Sequence, residues 1–217
     1  MSKAVVDIRA QLKAELEAQK SRVAPPTDGK ISTRGKVFTL PDGRTSNGPL
    51  KLIILDWRIV HAYYTGIYDP AKRASPDCWA LSTDLDCAPD PTKVKTIKCE
   101  SCAKCPFNEY GSGATGKGKA CKESRRLAVI PTDATEDTIP LVLEVSPTGI
   151  KSFEAMVTRL NSIGKHPMEA VAEVAFKSDA HYPTLVFNVD SMLDDDQLAI
   201  AFAIRKMAEP ILDRDPS

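Results

Sequence analysis

Leu50-Lys-Leu-Ile-Ile-Leu-Asp-Trp-Arg-Ile-Val-His-Ala-Tyr-Tyr64 is the stretch that decides the fold. It is rich in Ile, Val, Leu and aromatic residues, the types that fit a pleated, half-buried surface. It predicts one long bent strand or two short ones. Working outward, Val37–Leu40 reads as a strand that ends in the turn Pro41-Asp42-Gly43. Leu127–Ile130 and Ile139–Val145 read as strands too. Ala170–Phe176 and Thr184–Val189 read as an antiparallel pair joined around Tyr182-Pro183. Residues 65–98, with Pro70, Pro76, Pro89 and Pro91, read as loop.

Helical patterns are few. Residues 4–20 place Val5, Ile8, Leu12 and Leu16 on one face and stop before Pro25-Pro26. Ile150–Ile163 aligns Phe153, Val157 and Leu160, with Gly164 as a stop. Asp194-Asp-Asp-Gln197 opens a last helix, about Gln197–Ala208, stopped near Pro210. Short strands with few helices predict an α+β protein, an antiparallel sheet or barrel with helical decorations. The expected division is an N-terminal helix and linker over 1–34, a β-barrel over 35–191 with a cysteine insertion at about 76–126, and a C-terminal helix and acidic tail over 192–217.

The chain has 217 residues and an ordinary apolar content, enough for a real core. No apolar run reaches the roughly 18 residues of a membrane span. Asp7, Arg9 and Lys13 interrupt what would be a signal peptide's apolar stretch. The expectation is a cytoplasmic protein without a membrane partner, its thiols reduced unless metal-bound. Net charge is zero but uneven. Residues 92–126 hold nine Lys and Arg against three Glu, and residues 190–217 hold seven Asp and Glu against three Lys and Arg. A basic middle with an acidic end suits nucleic acid and a competing or partner-recruiting tail.

Cys99-Glu-Ser-Cys102-Ala-Lys-Cys105 offers two overlapping C-x2-C knuckles, and Cys121 returns after a glycine-rich loop. Two thiolates at that spacing suit one tetrahedral ion, so a structural zinc is expected. The ligand set read from spacing is Cys102 and Cys105 as knuckle, Cys121 returning and Cys78 distant, with Cys99 as a substitute for Cys78. An iron–sulfur cluster is the rival reading, because C-x2-C-x2-C with a remote cysteine is a cluster spacing. Cys87 receives no role.

Gly111-Ser-Gly-Ala-Thr-Gly116-Lys117 matches most of a phosphate-binding loop, but Gly118 stands where Ser or Thr must hold magnesium. A nucleotide triphosphatase is excluded on that ground. What remains is a loop whose amides and Lys117, Lys119, Lys122, Arg125 and Arg126 track a phosphate chain. Aromatics cluster over 57–110, where Tyr63, Tyr64, Phe107 and Tyr110 are the expected base-stacking faces and Trp57 the expected core residue. His61, His166 and His181 sit in no ligand or nucleophile spacing and read as surface residues. Asp194–Asp196 read as helix-dipole partners. No catalytic motif is visible, so the chain reads as a non-enzyme.

Leu55-Asp56-Trp57, Ala62-Tyr63-Tyr64, Tyr68-Asp69-Pro70 and Pro76-Asp77-Cys78 resemble a family of single-stranded-DNA-binding proteins encoded by tailed phages and prophages. So do Cys102-Ala-Lys-Cys105-Pro106-Phe107-Asn108, Gly116-Lys-Gly-Lys-Ala-Cys121-Lys122, Arg125-Arg126-Leu127 and Pro147–Phe153. The likeness spans roughly 36–190. It implies an oligonucleotide-binding barrel, a zinc-pinned loop held by Cys78, Cys102, Cys105 and Cys121, and a role on replication and recombination intermediates. Cys87 and Cys99 are extras to that pattern. Phage binders of this type end in an acidic tail with a terminal aromatic, whereas this sequence ends Asp213-Arg214-Asp215-Pro216-Ser217.

The expected function is therefore sequence-independent binding of single-stranded DNA, with replication or recombination proteins met through the acidic C-terminus. A structural or adaptor protein is the alternative: a virion component or host-factor binder acting through the terminal helices. The N-terminal helix reads first as packing on the body, and otherwise as a surface for homodimerisation or for a partner. A metal-dependent nuclease ranks last, because Asp56, Glu144, Glu173 and Asp190 are not grouped by any motif.

Overall fold

The computed structural model describes residues 29–65 and 75–216; the amphipathic segment 4–20 and Tyr68–Pro70 lie outside them. In chain order the described strands are β1 (Lys30–Ile31), β2 (Phe38–Thr39), β3 (Thr45–Ser46), β4 (Leu50–Tyr63), β5 (Cys78–Ser82), β6 (Lys122–Pro131), β7 (Leu141–Val145), β8 (Ala170–Phe176) and β9 (Leu185–Met192). Helices are α1 (Pro147–Ser162), α2 (Asp195–Arg205) and α3 (Glu209–Leu212). The main sheet runs β1-β7-β6-β4-β8-β9, with β5 also on β4; β2 and β3 form a separate ribbon. Its pairings are antiparallel except β1 with β7. The result is a mixed α+β fold around a curled half-barrel.

The decisive stretch is one bent strand. Along one edge β4 pairs with β6 from Leu52 to Ala62. Its other edge is shared: β8 takes Leu50–Ile53, and β5 takes Ile59–Tyr63. Between them the register shifts, since Ile54 faces Val129 but Asp56 faces Ala128, leaving Leu55 as a bulge. Side chains alternate faces along a strand, so an extra residue exchanges the parity. Leu52 and Ile54 belong to one core and Ile53 and Leu55 to the other. Past the bulge Trp57 joins the Leu52 side, edge-on to Phe153 at 5.5 Å. His61 and Tyr63 continue that face, while Arg58 points to the other.

Each face of the sheet has its own core. On the first, α1 buries Phe153, Met156 and Leu160 against Leu52, Ile54, Leu127, Val129 and Leu143. On the second, Ala201, Ile204, Ala208 and Leu212 pack on Ile53, Leu55, Ala128 and Ile130. The C-terminal helical pattern is thus core-forming. The last expected helix ends at Arg205, short of Pro210, and Pro210 sits in the first turn of the separate α3, where its missing N–H is no loss. Gly164, with φ 71°, ends the α1 region as its position predicts. β5 lies inside the stretch read as loop, and β6 starts five residues before the expected Leu127. Among the described residues no helix is long and apolar enough to cross a membrane.

Candidate metal centre and nucleic-acid interface

The cysteine module is the connection from β4 to β6. Tyr63 pairs with Cys78, so the module leaves and re-enters beside the end of β4. Its backbone is fixed internally. The Cys102 N–H donates to the Cys87 carbonyl at 2.9 Å, the Cys121 N–H to the Phe107 carbonyl at 2.7 Å, and Asn108 Nδ2 to the Cys102 carbonyl at 2.9 Å. All six cysteines are free thiols, five of them buried and Cys99 half-buried. Cys78, Cys99, Cys102, Cys105, Cys121 and His61 line one cavity of about 20 Å³. Cys87 packs behind it on Ala80 and Cys102.

The structure therefore brings Cys78, Cys102, Cys105 and Cys121 together, and Cys87 and Cys99 with them. Among the described residues no three His, Cys, Asp or Glu side chains already form a closed metal-holding group. The thiols influence one another strongly. Cys87 is held below the usual thiol range, first by the Cys102 thiol beside it and then by His61. Cys102 is pushed up by Cys87 and by burial, and Cys99 by its neighbour Cys105. Cys121 is pushed up to about 12, first by burial and then by Cys105, Cys78 and Cys87.

His61 is not a surface residue. It is only 4% exposed, and its Nδ1 has no hydrogen-bond partner among the described residues. Spacing along the sequence gives no hint of this. The bulge-shifted alternation, which sets His61 two residues from Tyr63 and four from Trp57, is the signal that could have found it. His166 caps a short turn, its Nδ1 accepting from the Met168 N–H at 3.1 Å, and His181 is exposed.

The glycine–lysine loop is ordered by its own backbone. Gly111 and Gly113 N–H groups both donate to the Gly118 carbonyl, at 2.8 and 3.3 Å, and Gly116 N–H donates to the Gly113 carbonyl at 2.8 Å. A Cβ on Gly113 would stand 2.5 Å from the Lys117 carbonyl oxygen, so only glycine fits. Lys117 is exposed at the tip, and Lys122 is exposed at the start of β6. Lys119 Nζ donates to Asn108 Oδ1 at 3.0 Å. Next to Asn108, the Phe107 ring packs on Tyr63 at 4.4 Å, and Lys98 Nζ lies 5.7 Å from the Tyr63 ring centre. Tyr110 is 84% exposed and Tyr64 43%. Nothing local in the sequence sets Lys98 apart from the other lysines of the basic stretch.

Arg125 and Arg126 are placed differently from the lysines. Both are buried. Arg125 is held by Glu123 at 2.8 Å and Glu154 at 2.7 Å. Arg126 donates to the Leu212 carbonyl at 3.0 Å and to the Arg214 carbonyl, on the C-terminal face. Both guanidiniums are committed inside the fold; of the expected lysines, Lys117 and Lys122 are exposed, the latter with its Nζ on the Lys119 carbonyl, and Lys119 is half-buried against Asn108.

The β8–β9 connection forms a second exposed patch, where Lys177, His181 and Tyr182 border a shallow pocket with Thr148 and Thr184. Comparison with protein-family models, curated proteins and solved structures finds no match for this chain.

Proposed function

We propose that this protein binds single-stranded DNA without sequence preference, as part of phage replication or recombination, on a half-barrel of the oligonucleotide-binding type. The observation that carries the reading is the joining of packed aromatics to cations: Tyr63 and Phe107 packed ring to ring with Lys98 Nζ over the Tyr63 ring, and Lys119 anchored one residue away on Asn108. Aromatic faces beside a cationic track are what sequence-tolerant single-strand binding requires. Strand connectivity supports it further. In oligonucleotide-binding barrels the loops after the first and fourth strands grip the nucleic acid. Counted in chain order over β4, β6, β7, β8 and β9, which lie in the sheet as β7-β6-β4-β8-β9, those loops are the cysteine module and the Lys177–Thr184 connection.

Zinc is the metal proposed for the module, held by Cys78, Cys102, Cys105 and Cys121. Thiolates in a reduced compartment suit it, and a fully protein-ligated ion would hold the loop in shape rather than do chemistry. Recruitment through the acidic C-terminus gains less support, since Asp213 and the Arg214 carbonyl are occupied by Arg58 and Arg126.

Fluorescence anisotropy with a labelled single strand and its matching duplex, at two salt concentrations, tests the reading. Tight binding to the single strand is expected, with log affinity falling by about 0.7 per neutralised phosphate per log unit of salt. Absence of binding to either at low salt removes the reading.

A further inference from the structure

We propose that the cysteine module holds two metal ions rather than one, in a binuclear site to which His61, Cys87 and Cys99 contribute alongside Cys78, Cys102, Cys105 and Cys121. The proposal rests on the zinc half of the preceding reading and not on DNA binding.

Donor count is the first argument. The chain's six cysteines all gather in the module, and His61 makes a seventh donor. One tetrahedral ion uses four of them. The other three, buried or half-buried beside it, would be left as idle thiols and an imidazole whose Nδ1 has no partner. Two tetrahedral ions need eight ligand positions, and seven donors fill eight positions when one thiolate bridges.

Placement is the second argument. His61, Cys78, Cys99, Cys102, Cys105 and Cys121 line one cavity, and Cys87 packs on Cys102 behind it. One ion is assigned to the Cys87–Cys102 side with His61 and the other to the remaining thiols, with one thiolate shared between them.

His61 supplies the third argument. A buried imidazole nitrogen without a partner is costly, and here Nδ1 is that atom. Ligation of the ring would offset the cost of burying it.

The test is metal content of the purified full chain. Zinc and protein sulfur measured together should give two zinc ions per chain, and His61→Ala and Cys87→Ser should each lose one and keep the other. Cadmium-113 exchanged into the wild-type chain should give two resonances in the thiolate range, which keeps the test independent of how the variants fold. One zinc per chain, unmoved by His61→Ala, or a single cadmium resonance, overturns the binuclear site and leaves the single-zinc reading standing. Iron with acid-labile sulfide, or no metal at all, overturns both. None of these outcomes alters the DNA-binding measurement.

Discussion

Arg58 Nε donates to Asp213 Oδ1 at 2.8 Å, joining residues 155 positions apart. The bond ties the middle of β4 to the residue that follows α3, and Arg58 also meets Asp56 at 3.2 Å. Next to it in the β4–β6 register stands Arg126, which donates to carbonyls of the same C-terminal segment. Two buried guanidiniums thus fasten the C-terminus to the second face of the sheet.

Removing that fastening is expected to destabilise without touching the cysteine face. Asp213→Ala leaves Arg58 with Asp56 and should cost about 1 kcal/mol, and Arg126→Ala, which strands two carbonyls, about 1–3 kcal/mol. Urea unfolding measures both, and single-strand affinity of the folded fraction should stay within twofold.

Arg125 and Lys117 should separate stability from binding. Arg125→Ala removes the shared partner of Glu123 and Glu154 and is expected to cost about 1–3 kcal/mol, with affinity unchanged once folded. Paired Lys117→Ala and Lys119→Ala should instead leave stability near wild type, weaken binding uniformly across sequences and flatten the salt slope. Equal affinity in the lysine variant would show that the loop does not touch DNA.

Gly113→Ala should act on the loop alone. The new methyl would meet the Lys117 carbonyl at 2.5 Å, so the Gly111–Gly118 turn must open. Expected is a drop in affinity of about tenfold with a thermal midpoint close to wild type, whereas Gly149→Ala, whose methyl would meet Val145 at 2.9 Å under α1, should cost about 1–3 kcal/mol. Differential scanning calorimetry beside anisotropy distinguishes the two.

Glu169 gives a pH prediction. Its pKa is lowered, first by Lys165 at 2.8 Å and then by the His166 N–H. A carboxylate with a depressed folded-state pKa adds stability above its unfolded value and loses it as pH falls through the folded one. Glu169→Gln should therefore lower stability at neutral pH, and the difference from wild type should vanish at pH values well below the ordinary 4.5. Urea midpoints from pH 7 to 3 measure it, and a difference independent of pH would refute the assignment.

Much of the fold is legible in the chain. Ala170–Phe176 is a strand over the expected residues, and Asp194 and Gln197 form the capping box that their spacing announces, with Gln197 N–H donating to Asp194 at 2.8 Å. The start of β6 is not legible, because Lys122-Glu-Ser-Arg-Arg126 looks like surface. Its two arginines are buried by partners far away in sequence, Glu154 and the Leu212 carbonyl. β5 hides among prolines because its strand character comes from β4, which was already there to pair with it. The gathering of Cys78, Cys102, Cys105 and Cys121 is legible from knuckle spacing, whereas His61 becomes visible only once the bulge at Leu55 is known.

That bulge gives β4 a reading frame. Lengthening the connections around it would shift nothing essential, since chain entropy changes slowly with loop length. Losing Leu55 would only regularise the ladder, since Ile54 and Asp56 already face consecutive residues of β6, Val129 and Ala128. One more residue between Asp56 and Trp57, with no second bulge to absorb it, would carry His61 and Tyr63 to the side of α2 and α3 and turn Arg58 toward the thiols. An insertion there is the three-dimensional counterpart of a frameshift: every letter downstream survives, and each is delivered to the wrong face.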